Sequence, residues 1–229
     1  YLPNSYQPND FTKKISKKIF TREELGLPKN GFVFCCFSQN YKITPTIFNI
    51  WLKVLKKIEG SVLWLIKDSN EGVNNLKKKA ESESVNPDRI IFAERMPISE
   101  HLSRHKIADL FIDTFPCNSH TTCSDALWSG LPVVTHKGQS FASRVAASLL
   151  NAVGLKELIT TTEKEYESLI LKLATNQELL KKTKNKLEKN KFTEPLFNTK
   201  LYTEKLETAY IEIYKKHHSN LTTEHIKIK

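Results

Sequence analysis

The side chains with the most chemistry to offer sit in one run, Cys117-Asn-Ser-His-Thr-Thr-Cys-Ser-Asp125, followed by Ala-Leu-Trp128-Ser-Gly130. The apolar stretch before it, Ala108-Asp-Leu-Phe-Ile-Asp-Thr114, is short and bounded like a buried strand. Thr121 onward reads as a helix, so His120, Thr121 and Thr122 fall where free backbone N–H groups and the positive end of a helix dipole would meet an anion. The rival reading is structural: Ser119 or Thr121 caps the helix and nothing binds. Two other loops carry candidates, Gln39 and Lys42 in Phe37-Ser-Gln-Asn-Tyr-Lys-Ile43, and Met96, Pro97, Ile98, His101 and Arg104 in the stretch from Arg95. Singly, Lys42 is a surface lysine, His101 and Arg104 an exposed i,i+3 pair, and Asp125 a carboxylate favoured by a nearby helix start.

Together these residues suit a nucleoside diphosphate. Lysine and helix N–H groups would hold phosphate, a carboxylate the ribose hydroxyls, imidazole and guanidinium the base. The chain has no Gly-x-Gly-x-x-Gly and no Gly-x-x-x-x-Gly-Lys-Ser/Thr, which argues against a standard dinucleotide or P-loop site. It also lacks Asp-x-Asp, a common cation-holding pair, so lysine and a helix end would neutralise the leaving phosphate.

The elements that must position these groups follow from periodicity. Apolar runs at Phe32–Phe37, Ser61–Ile66, Arg89–Ala93, Asp109–Asp113 and Leu131–Thr135 alternate with helical patterns at 44–60, 73–84, 99–106 and 121–129, and a sixth strand is expected near Leu158. Short apolar strands alternating with helices predict an α/β, doubly wound parallel sheet covered on both faces. Further helices are expected at 141–152, 163–174, 177–189 and 199–217. Residues 1–20 read as a linker, 21–217 as the folded lobe and 218–229 as a tail; Thr21-Arg-Glu-Glu24 has the form of a capping box.

Composition narrows the class. With 229 residues, 39% hydrophobic, the chain can bury a substantial core. No run approaches the roughly 20 apolar residues of a membrane span, and the start lacks a signal-peptide layout, so a cytoplasmic home is the default expectation. Cys35, Cys36, Cys117 and Cys123 have no zinc-type spacing and are expected reduced. The net charge of +10 comes largely from lysine runs such as 77–79 and 181–191, which lack interleaved aromatics and predict solvated helix faces rather than a nucleic-acid surface.

At the candidate residues the chain resembles the carboxyl-terminal catalytic lobe of the O-linked N-acetylglucosamine transferase and SPINDLY family, glycosyltransferase family 41. The likeness runs through Gln39-Asn-Tyr-Lys42-Ile, Arg89-Ile-Ile-Phe, Pro97 with His101 and Arg104, Leu110-x-x-Asp113-Thr, Cys117-Asn-x-His120-Thr-Thr122-x-x-Asp125, Leu127-Trp-x-Gly130-x-Pro, Ala142-Ser-Arg-Val-Ala-Ala-Ser148 and Pro195-Leu-Phe-Asn. It implies a Rossmann-like GT-B carboxyl-terminal lobe of an inverting, metal-independent transferase that moves N-acetylglucosamine from UDP to protein Ser/Thr. On that likeness Lys42 is the catalytic cation on the donor diphosphate, with Gln39 beside it. His120, Thr121 and Thr122 grip phosphate, Asp125 the ribose, His101 and Arg104 the nucleoside, and the Met96-Pro97-Ile98 backbone the base edge. It further implies no cofactor beyond the UDP-sugar donor, and protein acceptors, an amino-terminal lobe and tetratricopeptide repeats as partners. GDP-fucose or another hexose donor is the alternative, as is a degenerate non-catalytic nucleotide- or nucleic-acid-binding module. Four positions depart from the pattern: Ile98 stands where animal enzymes have lysine, Ser119 and Cys123 replace glycines, and Ser38 replaces an asparagine.

Overall fold

In the computed structural model, which describes residues 1–228, the alternating segments form one six-stranded sheet with every neighbouring pair parallel. Lys229, the last residue of the expected tail, lies outside the described residues. The strands are β1 (Val33–Cys36), β2 (Val62–Ile66), β3 (Ile90–Ala93), β4 (Leu110–Ile112), β5 (Val133–His136) and β6 (Ile159–Thr160), in the order β3-β2-β1-β4-β5-β6. The order reverses between β1 and β4, and a doubly wound sheet opens a crevice beyond the carboxyl ends of the strands at that point. The sixth strand falls beside Leu158, as the sequence predicts.

The connecting helices are α1 (Pro45–Lys57), α2 (Asn70–Ser82), α3 (Ile98–Arg104), α4 (Thr121–Trp128) and α5 (Val145–Ala152). After β6 come α6 (Glu163–Thr175), α7 (Gln177–Thr193) and α8 (Thr199–His218). Local chemistry accounts for α1: Thr44 accepts the Ile47 N–H, Pro45 occupies the first helical position, and Ile47, Phe48, Trp51, Leu52 and Leu55 make one fully buried stripe. Each such side chain contributes about 1.5–3 kcal/mol on leaving water. Gly60, at φ +67°, turns the chain out of the helix towards β2. Helices α1 and α6 pack together, while α3, α4 and α5 pack in series. None of the helices in the described residues is long and apolar enough to cross a membrane.

Two expectations are modified, while the capping box forms as a reciprocal pair, Thr21 N–H to Glu24 Oε2 at 2.7 Å and Glu24 N–H to Thr21 Oγ1 at 3.2 Å, and opens a short turn that ends at Gly26. The helix predicted over 141–152 begins only at Val145, because Ser140 and Ser143 hydrogen-bond each other and close a turn back to Gly138. The lysine run on α7 is not wholly solvated: Lys191 is buried, donating to the Trp128 carbonyl and pairing with Glu188. All four cysteines are free thiols.

Residues 1–20 have no regular secondary structure, yet they are laid along α3 and α4 by specific bonds. Ser124 donates to Asn9, the Trp128 indole to the Lys13 carbonyl, and Ser103 to the Lys18 carbonyl. The segment is a strap over the helices next to the crevice.

One buried polar knot joins the layers. Tyr166 of α6 accepts the Trp51 indole N–H at 3.0 Å and donates to the Asp113 carbonyl at 2.8 Å, with the ring fully buried. Tyr166→Phe should lower unfolding free energy by about 1–3 kcal/mol, because it leaves a buried donor and a buried acceptor unpaired. Urea denaturation measures this, and an unchanged midpoint would contradict the knot's role.

Candidate donor-nucleotide site

The site grows from Asp113, which ends β4 and is completely buried. One carboxylate oxygen accepts the Thr114 N–H at 2.9 Å and the Ser119 N–H at 2.7 Å, and the other accepts the Thr135 hydroxyl at 2.7 Å. Around it the Asn118 amide donates to the Thr114 and His136 carbonyls, the Asn118 N–H to the Ala142 carbonyl, and Thr114 Oγ1 to the Cys117 carbonyl. The loop that launches α4 is therefore pinned from β4, from β5 and from the turn before α5.

With the loop fixed, α4 starts open. Its first flanking residue is His120, and no side chain caps the helix, so the capping reading of Ser119 or Thr121 is not what forms. Ser119 instead meets Ser38 at 2.5 Å between hydroxyls, joining the β1 and β4 loops through two positions that depart from the family pattern. Cys123, the third such position, is buried in the core.

A cleft of about 310 Å³ lies at this reversal point, lined by Gln39, Lys42, His120, Thr121 and Thr122, with Arg95 and Tyr41 beside them. Five of the expected residues thus meet in one place. Lys42 belongs to a 3-10 turn (Asn40–Lys42) directly after β1; its Nζ donates to the Asn118 carbonyl at 3.0 Å, and among the described residues it has no carboxylate partner. Beside it, His120 Nε2 is shielded from water without a hydrogen-bond partner. Burial, then the Lys42 charge, lowers the His120 pKa, so the imidazole is neutral at pH 7. The lining contains two cations and no acid, which suits an anionic guest.

The remaining expected residues stand behind or beside this cleft. Met96 and Pro97 lead into α3 next to Arg95, and Ile98 is 56% exposed. His101 and Arg104 do form an i,i+3 contact at 2.5 Å, but the pair is not exposed: Arg104 is 1% exposed. Its guanidinium donates to the Glu94 carbonyl at 2.7 Å and lies 4.6 Å from the Phe37 ring centroid. These contacts place the guanidinium behind the β3–α3 loop, against the His101 ring. Burial, followed by His105 and Arg104, pushes the His101 pKa down to about 2, so this ring is neutral and accepts from Arg104 through Nδ1. Asp125 is likewise turned from the cleft, its Oδ1 taking the Lys13 ammonium of the strap at 2.5 Å.

Sequence reasoning gave no site role to Asp113 or Arg95 and read the strap as a linker. Asp113 reads as one more polar end of a strand; only its three donors reveal its function. Arg95 carried a faint signal, since it directly follows an apolar strand on the rim where ligands bind.

A parallel Rossmann-like sheet with an open α4 start beside a lysine at its reversal point has the form of a GT-B lobe. The chain belongs to glycosyl transferase family 41, whose profile matches residues 9–206. It is similar to a probable UDP-N-acetylglucosamine–peptide N-acetylglucosaminyltransferase of Arabidopsis thaliana, 36% identical over 100% of this chain and 24% of that protein. A UDP-N-acetylglucosamine–peptide N-acetylglucosaminyltransferase of Caenorhabditis elegans is 35% identical over 91% of this chain and 18% of that protein. The chain thus spans about a quarter or less of the length of these relatives. Among solved structures, a mutant O-GlcNAc transferase of Thermobaculum terrenum superposes with TM-score 0.77 at 29% identity, covering 81% of this chain and 36% of that one.

Burial pushes the Asp113 carboxyl from the usual 3.8 up to about 6, against the pull of its hydrogen-bond donors. The folded chain then holds this proton more tightly than the unfolded one, so the contribution is full below about pH 4 and is lost as pH rises through about 6. Relative to Asp113→Asn, the wild type should lose on the order of 3 kcal/mol of stability across that window. Urea titrations of both proteins at a series of pH values check this, and a pH-independent difference would refute it.

Proposed function

We propose that this chain is the donor-binding lobe of a protein O-glycosyltransferase that uses UDP-N-acetylglucosamine, inverts the anomeric centre and needs no metal ion. The observation that carries the reading is the acid-free cleft in which Lys42, the uncapped start of α4 and the unpartnered His120 Nε2 converge. Family membership and the activities named for the relatives agree with it.

In this reading the acceptor hydroxyl oxygen attacks the anomeric carbon from the face opposite the diphosphate. The bond from that carbon to the phosphate oxygen breaks, UDP leaves with the electron pair, and the proton of the acceptor hydroxyl passes to a base that the proposal places on the other lobe. The Lys42 ammonium and the α4 N–H groups stabilise the charge that develops on the leaving phosphate, in a site whose dipoles are already oriented. His120, neutral at pH 7, donates or accepts a hydrogen bond there without adding charge. The main chain at Met96-Pro97-Ile98 meets the base edge, and His101 supports it from behind. Asp125 acts through the strap, keeping α4 and Lys13 together.

The hydroxyl that receives the sugar belongs to the acceptor protein in the proposal; an amino-terminal lobe would contact it and tetratricopeptide repeats would recruit it. A cleft between two lobes would exclude water and align the acceptor, which one lobe cannot do.

Isothermal titration with UDP tests the donor site. The wild-type chain should bind, Lys42→Ala should weaken binding at least about tenfold through loss of a charge-assisted hydrogen bond, and His120→Ala should weaken it less. Absence of UDP binding by the folded wild type would end the proposal. Competition by GDP that outmatches UDP would move the donor to a guanosine sugar.

A further inference from the structure

Two cations line the cleft, and only Lys42 belongs to the motifs described above. The other, Arg95, follows β3, and its side chain is 69% exposed. Its Nη2 donates to Asp68 Oδ1 at 2.8 Å, while Asp68 Oδ2 accepts the Asn40 N–H at 2.6 Å. Asp68 thereby uses its two oxygens to tie the end of β3 to the turn that carries Lys42. The adjacent acid, Glu94, is taken by Lys67 at 2.6 Å, which leaves Asp68 as the carboxylate that sets the Arg95 fork.

A guanidinium offers five N–H donors in a rigid fork that matches phosphate, and Arg95 spends one of them. As an exposed ion pair its contact with Asp68 contributes about 0–1 kcal/mol to stability, so a purely structural role accounts poorly for its place. Ile98, the nearby position on the same loop, is apolar and offers no charge. The cation on the β3 side of the cleft is Arg95.

We propose that Arg95 is a specificity-determining residue that binds a phosphate oxygen of the nucleoside diphosphate donor, with Asp68 a positioning residue that holds its fork in register with Lys42. The assignment rests on the donor-nucleotide reading above and adds to it a contact made from the opposite wall of the cleft.

Titrating UDP and uridine in parallel into wild type, Arg95→Ala, Arg95→Lys and Asp68→Asn tests it. Arg95→Ala should weaken UDP binding about tenfold, the scale of one lost charge-assisted hydrogen bond, and leave uridine binding unchanged. Arg95→Lys should recover part of the loss, and Asp68→Asn should weaken UDP about threefold with uridine again unchanged, a selective pattern that general loosening would not produce. Thermal midpoints equal to wild type verify that the variants are folded. Equal UDP affinity in wild type and Arg95→Ala would overturn the assignment and leave the donor reading standing. A loss shared equally by UDP and uridine would overturn it too, by placing the contact on the nucleoside. A wild type that binds neither compound would overturn the donor reading, and this assignment with it.

Discussion

A single buried carboxylate, Asp113, sets the position of the loop and helix start that face the cleft. It lies at the centre of the sheet, where β4 ends and the strand order reverses, and its oxygens accept from the loop on one side and from β5 on the other. A helix start is useful to an anion only if it is held still and left uncapped. Asp113 satisfies the first condition by bonding the Ser119 and Thr114 N–H groups that precede the helix. It leaves the second intact because those donors lie upstream of Thr121. The Tyr166 hydroxyl on its carbonyl carries the same anchoring into α6 and, through Trp51, into α1.

Around that anchor the electrostatics are sorted by depth. Desolvation keeps His101, His105 and His120 neutral, and it confines Arg104 to a carbonyl and an aromatic face. Among the described residues that line the cleft, positive charge is carried by Lys42 and Arg95, beside the open helix end. A buried layer of imidazoles and one guanidinium thus serves as scaffold, while the exposed layer supplies the field.

Much of the architecture was legible in the sequence because it rests on local rules. Apolar runs such as Phe32–Phe37 and Ser61–Ile66 and the Thr44-Pro45 start contain the period and the caps that place β1, β2 and α1. The cleft residues Gln39, Lys42, His120, Thr121 and Thr122 were legible for a related reason: they follow strands on the rim that a parallel sheet reserves for ligands. What was hidden depends on contacts remote in sequence. Arg104 looks exposed at i,i+3 from His101 until Phe37 and Trp64 close over it. Asp125 looks free until Lys13, 112 residues away, pairs with it. Residues 1–20 have no period to read, since their order comes from α3 and α4 and not from themselves.

The strap has a mechanical meaning beyond its packing. Tyr6 meets the edges of His120 and Phe141, with ring centroids 6.3 and 5.1 Å away, and Lys13 holds α4 one turn further along. The leading segment therefore packs over the amino-terminal end of α4, and its Tyr6 ring is a neighbour of the His120 imidazole that lines the cleft, so displacing that segment would uncover the ring.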